Sequence, residues 1–215
     1  MIRKMALLVI AMVLGGCAST ATVKLDRNVS PSMHGRTLAV STSDKPDFAA
    51  MTAGKAMFAL VGAFAMISTG NEIIRKYDVE DPATYIGNEI AMEIARTRSM
   101  DLISPAIPSK EDSIEYLSRT HAGNDYVLDV RTINWSFGYF PTDWNNYRVM
   151  YSAKARLLDM RSRETIAEAF CSRVPERSST SPSYDQLLSK NAARLKSELQ
   201  VAAKHCVKEL RDKLL

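Results

Sequence analysis

Residues 126–173 read YVLDVRTINWSFGYFPTDWNNYRVMYSAKARLLDMRSRETIAEAFCSR, and the two-residue rhythm of this stretch decides the fold. Successive side chains of a strand point to opposite faces, so Tyr126, Leu128 and Val130 share one side. From Ile133 the apolar positions continue as Trp135, Phe137 and Tyr139, on the opposite parity. A change of parity within one strand needs an extra residue, which predicts a bulge or bend near Arg131 and Thr132. The next strand keeps period two, with Tyr147, Val149, Tyr151, Ala153, Ala155 and Leu157 on one side. Arg148, Met150, Ser152, Lys154 and Arg156 occupy the other. A turn over 159–163 then leads to a third strand over 164–172, which places Ala167, Ala169 and Cys171 together.

Helices flank this meander. Ser183 and Gln186 have the S-x-x-Q spacing of a capping box. Leu188, Ala192, Leu195, Leu199, Ala202, Cys206 and Leu210 follow at spacings of three and four, which predicts a long amphipathic helix. Before the meander, 36–43 reads as a strand in which Leu38 and Val40 alternate with polar residues. Asp81-Pro82 is a helix start, with Asp81 as N-cap and Pro82 at the first helical position. Ile86, Ile90 and Ile94 give that helix one apolar stripe up to about Met100. A short strand at Leu102 and Ile103, ending before Pro105, should precede an exposed helix over 110–120 edged by Ile114 and Leu117. The expected class is α+β: a mainly antiparallel sheet with helices packed on it and a long C-terminal helix. The 215 residues suffice for one such domain.

Within an apolar, Gly/Ala-rich segment over 48–70, residues 56–67 (AMFALVGAFAMI) carry no charge, and glycines stand at 54, 62 and 70. Eight-residue spacing returns to nearly the same helical face. Two readings stand: a buried helix whose glycine strip lets a neighbour approach closely, or a segment that meets a bilayer or a second subunit. The run is too short to span a membrane.

The first twenty residues supply an address. Arg3 and Lys4 precede ten apolar residues, 5–14, and then come Gly15, Gly16 and Cys17. This layout suits a secretory signal segment. Leu14-Gly15-Gly16-Cys17 resembles the lipobox of bacterial lipoprotein precursors. The resemblance implies a signal peptide over 1–16, cleavage before Cys17 and diacylglyceration of its thiol. Palmitate-type acylation and anchoring to the membrane through the N-terminal lipid follow. Ala18, by analogy with enterobacterial lipoproteins, implies sorting to the periplasm-facing side of the outer membrane. Residues 17–35 then read as a lipidated tether and 36–215 as a single periplasmic domain. Export to an oxidising compartment leaves Cys171 and Cys206 as the two remaining thiols, which predicts a disulfide between them. The element order loosely resembles the curli secretion lipoprotein and the lipoprotein activators of penicillin-binding proteins. It also resembles uncharacterised proteobacterial lipoproteins, and no functional residue carries over from any of these.

Composition narrows the chemistry. Removing Arg3 and Lys4 from 28 basic residues leaves 26 against 24 acidic ones, which argues against nucleic acid as a partner. No P-loop, GxSxG or HExxH is present, so no catalytic, cofactor or metal residues are assigned. His34, His121 and His205 are scattered, and only His121 stands beside Asn124 and Asp125. A periplasmic hydrolase built around His121 is the third-ranked reading. The aromatic cluster Trp135, Phe137, Tyr139, Phe140, Trp144 and Tyr147 either stiffens the sheet or offers anchors for a protein or glycan partner. Trp135, Phe140 and Trp144 are the partner-binding candidates. The basic side of the meander (Arg148, Lys154, Arg156) is either solvated or turned toward anionic groups, with Asp129 placed to neutralise it. The leading expectation is a lipid-anchored, non-enzymatic envelope protein that binds or stabilises a periplasmic or outer-membrane partner. The alternative is a subunit of a homo-oligomeric export or pore assembly in which 56–67 contacts the membrane.

Overall fold

The computed structural model describes residues 22–52 and 59–215. A 3-10 turn at Ser30–Met33 precedes β1 (Thr37–Thr42) and β2 (Ala49–Met51). Helices α1 (Ala59–Tyr77) and α2 (Pro82–Arg98) follow, then β3 (Asp101–Pro108) and α3 (Ile114–Thr120). The meander is β4 (Tyr126–Phe140), β5 (Asp143–Asp159) and β6 (Glu164–Arg173), and α4 (Tyr184–Leu214) closes the chain. The strands form one sheet in the order β3-β1-β4-β5-β6, with β2 alongside the far end of β4. β4, β5 and β6 pair antiparallel over long registers. β1 pairs with β3 and β4, and β2 with β4, in short parallel registers. The class is α+β, and its sheet is mixed at one edge because α2 provides the crossover that parallel pairing of β1 and β3 requires.

The parity switch in β4 is real, and the bulge falls at Ile133, between Thr132 and Asn134. Tyr126, Leu128 and Val130 are buried before it, and Trp135 and Phe137 after it. Ile133 itself is 55% exposed, so it is the extra residue rather than the first member of the second apolar set. Every apolar residue on the expected inner side of β5, from Tyr147 to Leu157, is buried.

α2 lies across β1 and β4. Its Asp81 cap accepts from the Ala83 amide at 3.0 Å, and Ile86, Ile90 and Ile94 face the sheet. The Thr132 hydroxyl donates to the Asp81 carboxylate and lies 2.9 Å from the Tyr151 hydroxyl, tying the helix start to β4 and β5. Burial pushes the Asp81 carboxyl above the usual range, and these hydrogen bonds oppose the shift. Gly70 of α1 touches β2 so closely that a Cβ there would stand 1.9 Å from the Phe48 carbonyl oxygen. One glycine of the eight-residue series therefore serves close packing.

Four expectations need correction. β3 does not stop before Pro105 but runs to Pro108, because its register against β1 slips between Ala39 and Ser41 and two β3 residues are looped past the ladder. Proline is tolerated there because β3 is an edge strand. The helix expected over 110–120 begins only at Ile114, where Ser113 caps it by accepting from the Tyr116 amide. α3 packs Leu117 on the opposite side of the sheet, against Ala39, Val127 and Leu158. α4 carries the expected capping box, but Ser189–Ala192 leave helical geometry, with positive φ at Lys190, Asn191 and Ala192. That interruption rotates the first turn, so Leu187 is buried and Leu188 only partly so.

The described part of the expected tether is docked rather than free. Val23 and Glu168 exchange backbone hydrogen bonds at 2.7 and 2.8 Å, the Leu25 amide reaches the Leu214 carbonyl at 2.9 Å, and Leu25 and Met33 are buried.

Candidate functional site

The aromatic residues of the β4–β5 hairpin form a graded series from core to solvent. Trp135 is 1% exposed; its indole N–H donates to the Pro46 carbonyl at 3.0 Å, and Phe48 meets it edge-on at 5.1 Å. Phe48 contacts Phe137, and Phe137, Tyr147 and Tyr184 contact one another, with centroids 5.8 to 5.9 Å apart. Tyr139 continues the series to Tyr147 and to Trp144. Edge and tilted contacts of this kind stiffen a hairpin beyond the area they bury.

Only the last member faces water. Trp144 is 60% exposed, with its indole N–H held by the Pro141 carbonyl at 3.1 Å. Phe140 is 5% exposed and lies beneath the Arg148 guanidinium at 5.2 Å. Of the three expected anchors, Trp135 and Phe140 are therefore core residues, and Trp144 alone is presented. The tip is braced: Asp143 accepts from Asn146 at 2.7 Å and from Arg177 at 2.6 Å. These hydrogen bonds, Asn146 first, hold the Asp143 carboxyl below its usual range.

The basic side of the meander is largely neutralised. Arg156 and Arg131 converge on the buried Asp129 at 2.7 and 3.0 Å, and Lys154 meets Glu168 at 2.9 Å. Arg148, by contrast, has no carboxylate partner within salt-bridge range among the described residues.

His121 is 1% exposed, with Nε2 3.3 Å from the Ser109 hydroxyl and Nδ1 without a hydrogen-bond partner among the described residues. Asn124 reaches the His121 backbone carbonyl, and Asp125 instead binds Thr37, so the expected His-Asn-Asp grouping does not meet at the ring. Burial lowers the His121 pKa, and nearby Asp129 opposes this. The unfolded chain therefore takes up the proton first. The stabilisation from neutral His121 is present above about pH 6.5 and is lost as the pH falls toward the lowered folded value. Thermal melts should show a midpoint that drops as the pH falls below about 6.5, and His121→Gln should flatten that part of the profile.

Cys171 of β6 and Cys206 of α4 are both fully buried and joined as a disulfide, with their Cα atoms 5.5 Å apart. Cys17 and residues 1–16 lie outside the described residues, as do 56–58 of the apolar segment. Its described remainder belongs to α1, where Phe64 is 81% exposed and Ala65, Met66 and Ile67 are half-buried. The main contact of α1 with other elements is β2. None of residues 64–67 is fully buried. Among the described residues, no helix is long and apolar enough to cross a membrane. No group of His, Cys, Asp and Glu among them is arranged to hold a metal.

No protein-family model matches the chain, and no curated protein matches it. Solved structures do resemble it. Protein XCC0632 from Xanthomonas campestris is 12% identical, with a TM-score of 0.40, covering 87% of each chain. Lipoprotein GNA1162 from Neisseria meningitidis is 16% identical at TM-score 0.28, covering 80% of this chain and 99% of its own. The LpoB C-terminal domain from Salmonella enterica is 12% identical at TM-score 0.27, covering 69% and 90%. No residue role is transferred from likenesses this distant.

Proposed function

We propose that this protein is a lipid-anchored, non-enzymatic component of the cell envelope, held at the outer membrane and facing the periplasm, that binds or stabilises a protein partner. The observation that carries the partner reading is Trp144: a large aromatic, 60% exposed, at the end of a ring series rooted in the core. Interfaces concentrate binding energy in such rigid aromatic anchors. The anchor reading rests on Leu14-Gly15-Gly16-Cys17. Cys17 stands six positions before Val23, where the chain is already docked on β6. Six residue steps span at most about 20 Å, so the acylated chain would hold the β6 edge close to the bilayer.

Two substitutions test the two halves separately. Cys17→Ala should move the protein from the membrane to the soluble periplasmic fraction, and retention in the membrane would count against the lipid. Trp144→Ala should leave membrane attachment and melting temperature unchanged while crosslinking in intact cells captures about tenfold less partner, the loss of a strong aromatic anchor. Undiminished capture would remove the hairpin tip from the interface.

A second reading is favoured by α1, whose Phe64 is 81% exposed next to further apolar residues. In that reading the protein is a subunit of an oligomeric assembly, with this half of α1 meeting a second copy or the membrane. Native mass after gentle detergent extraction separates the two, since an assembly gives one large, uniform species.

A further inference from the structure

Arg148 and Arg173 line a cavity of about 200 Å³ that neither the hairpin tip nor the anchor accounts for. Its walls come from Phe140 at the end of β4, the first half of β5, the end of β6, the connection that follows β6, and Arg194 and Glu198 of α4. Three guanidinium groups thus enclose a space in which Glu198 is the inner carboxylate and Glu176 an exposed one at the rim. Glu198 is taken up by Arg194 at 2.8 Å, and Arg173 approaches its other oxygen only at 3.7 Å, beyond hydrogen-bond range. Among the described residues, Arg148 reaches the Pro175 carbonyl at 3.5 Å and the face of Phe140.

Buried donors without acceptors sharpen the picture. Arg148 Nε and Arg173 Nη1 are both buried with no hydrogen-bond partner among the described residues, and Arg173 Nη1 is the atom within ion-pair range of Glu198. A buried, charged N–H left unpaired keeps its full desolvation cost. Arg148, with no carboxylate in range among the described residues, and Arg173, which shares Glu198 with Arg194, line one small cavity in which three guanidinium groups face two carboxylates, an excess of positive charge that suits an acceptor carrying negative charge. Guanidinium groups match planar or tetrahedral oxyanions through paired N–H donors. The connection adds hydroxyl groups at the rim, Ser178 and Thr180, whose oxygens are 3.0 Å apart. The volume lies below the range of pockets that take whole cofactors.

We infer that this cavity is a binding site for a single oxyanion group, a carboxylate or a phosphate, either free or at the end of a larger envelope molecule. Arg148 and Arg173 supply the donors, and Glu198 is shared between Arg194 at hydrogen-bond distance and Arg173 at 3.7 Å. The inference does not depend on the lipid anchor or on Trp144.

Isothermal titration of the full-length protein with inorganic phosphate and, separately, with N-acetyl-alanine in 150 mM salt tests it (salt at about that level screens diffuse surface attraction). Saturable one-site binding of at least one anion is expected, and the preferred anion identifies the chemistry of the source. Arg148→Gln and Arg173→Gln should each weaken binding tenfold or more. Arg148→Lys, which keeps the charge but loses the forked donors, should also weaken it while leaving the melting temperature unchanged. Lys154→Gln, at a cation outside the cavity, should have no effect. Absence of saturable binding to the unsubstituted protein, or equal binding by the Arg148→Lys and Lys154→Gln proteins, overturns the site.

Discussion

Trp135→Ala is expected to lower the free energy of unfolding by about 3–5 kcal/mol, the range for truncating a large buried aromatic. Trp144→Ala should change it by less than about 0.5 kcal/mol, as for a surface position. Both tryptophans lie in one hairpin, nine positions apart, and differ in what covers them. Trp135 sits under Phe48 and donates to Pro46, so its removal leaves a cavity and an acceptor without its donor. Trp144 covers only Tyr139 and the turn. Urea unfolding of the two variants, followed by circular dichroism, gives both numbers. Comparable losses would mean that the hairpin tip is structural, and the partner reading of Trp144 would fall with it.

Removal of the Cys171–Cys206 bond, by substituting both residues with Ala, should cost about 4 kcal/mol in the chain-entropy model, within a usual range of about 2–5 kcal/mol. The bond closes a separation of 35 residues and clamps α4 to β6 in the middle of the core. Part of the loss arises in the unfolded chain, which gains freedom when the link is absent. Denaturant unfolding of the double substitution against the oxidised protein measures it, and a loss below about 1 kcal/mol would show that helix packing alone holds the α4–β6 contact.

Those two predictions differ in how far the sequence foresaw them. The disulfide followed from counting thiols in a chain whose first residues read as an export signal and from placing each on an inward stripe. Burial of Trp135 followed from its parity after the bulge, but its selection as a surface anchor did not survive. Its covering residues, Pro46 and Phe48, lie nearly ninety positions earlier and enter through β2, a strand too short to have a readable period. Phe140 was missed for a related reason: Arg148 covers it from the next strand. The oxyanion cavity left no local signal either, because Arg148, Arg173 and Arg194 come from three separate elements.

Period two in β4 to β6, the Asp81-Pro82 and Ser183/Gln186 caps, and the isoleucine stripe of α2 are properties of near neighbours along the chain. Each depends on side-chain direction or on hydrogen bonds spanning a few residues, so sequence alone determined the α+β class and most of the inward-facing residues. Folding in three dimensions decided what lies over each surface: the parallel β1–β3 edge, the docking of Val23 on β6, the exposure of Phe64 and Trp144, and the gathering of three arginines. Those outcomes depend on contacts between distant segments, where burial and charge balance are set by whichever element arrives to cover a group.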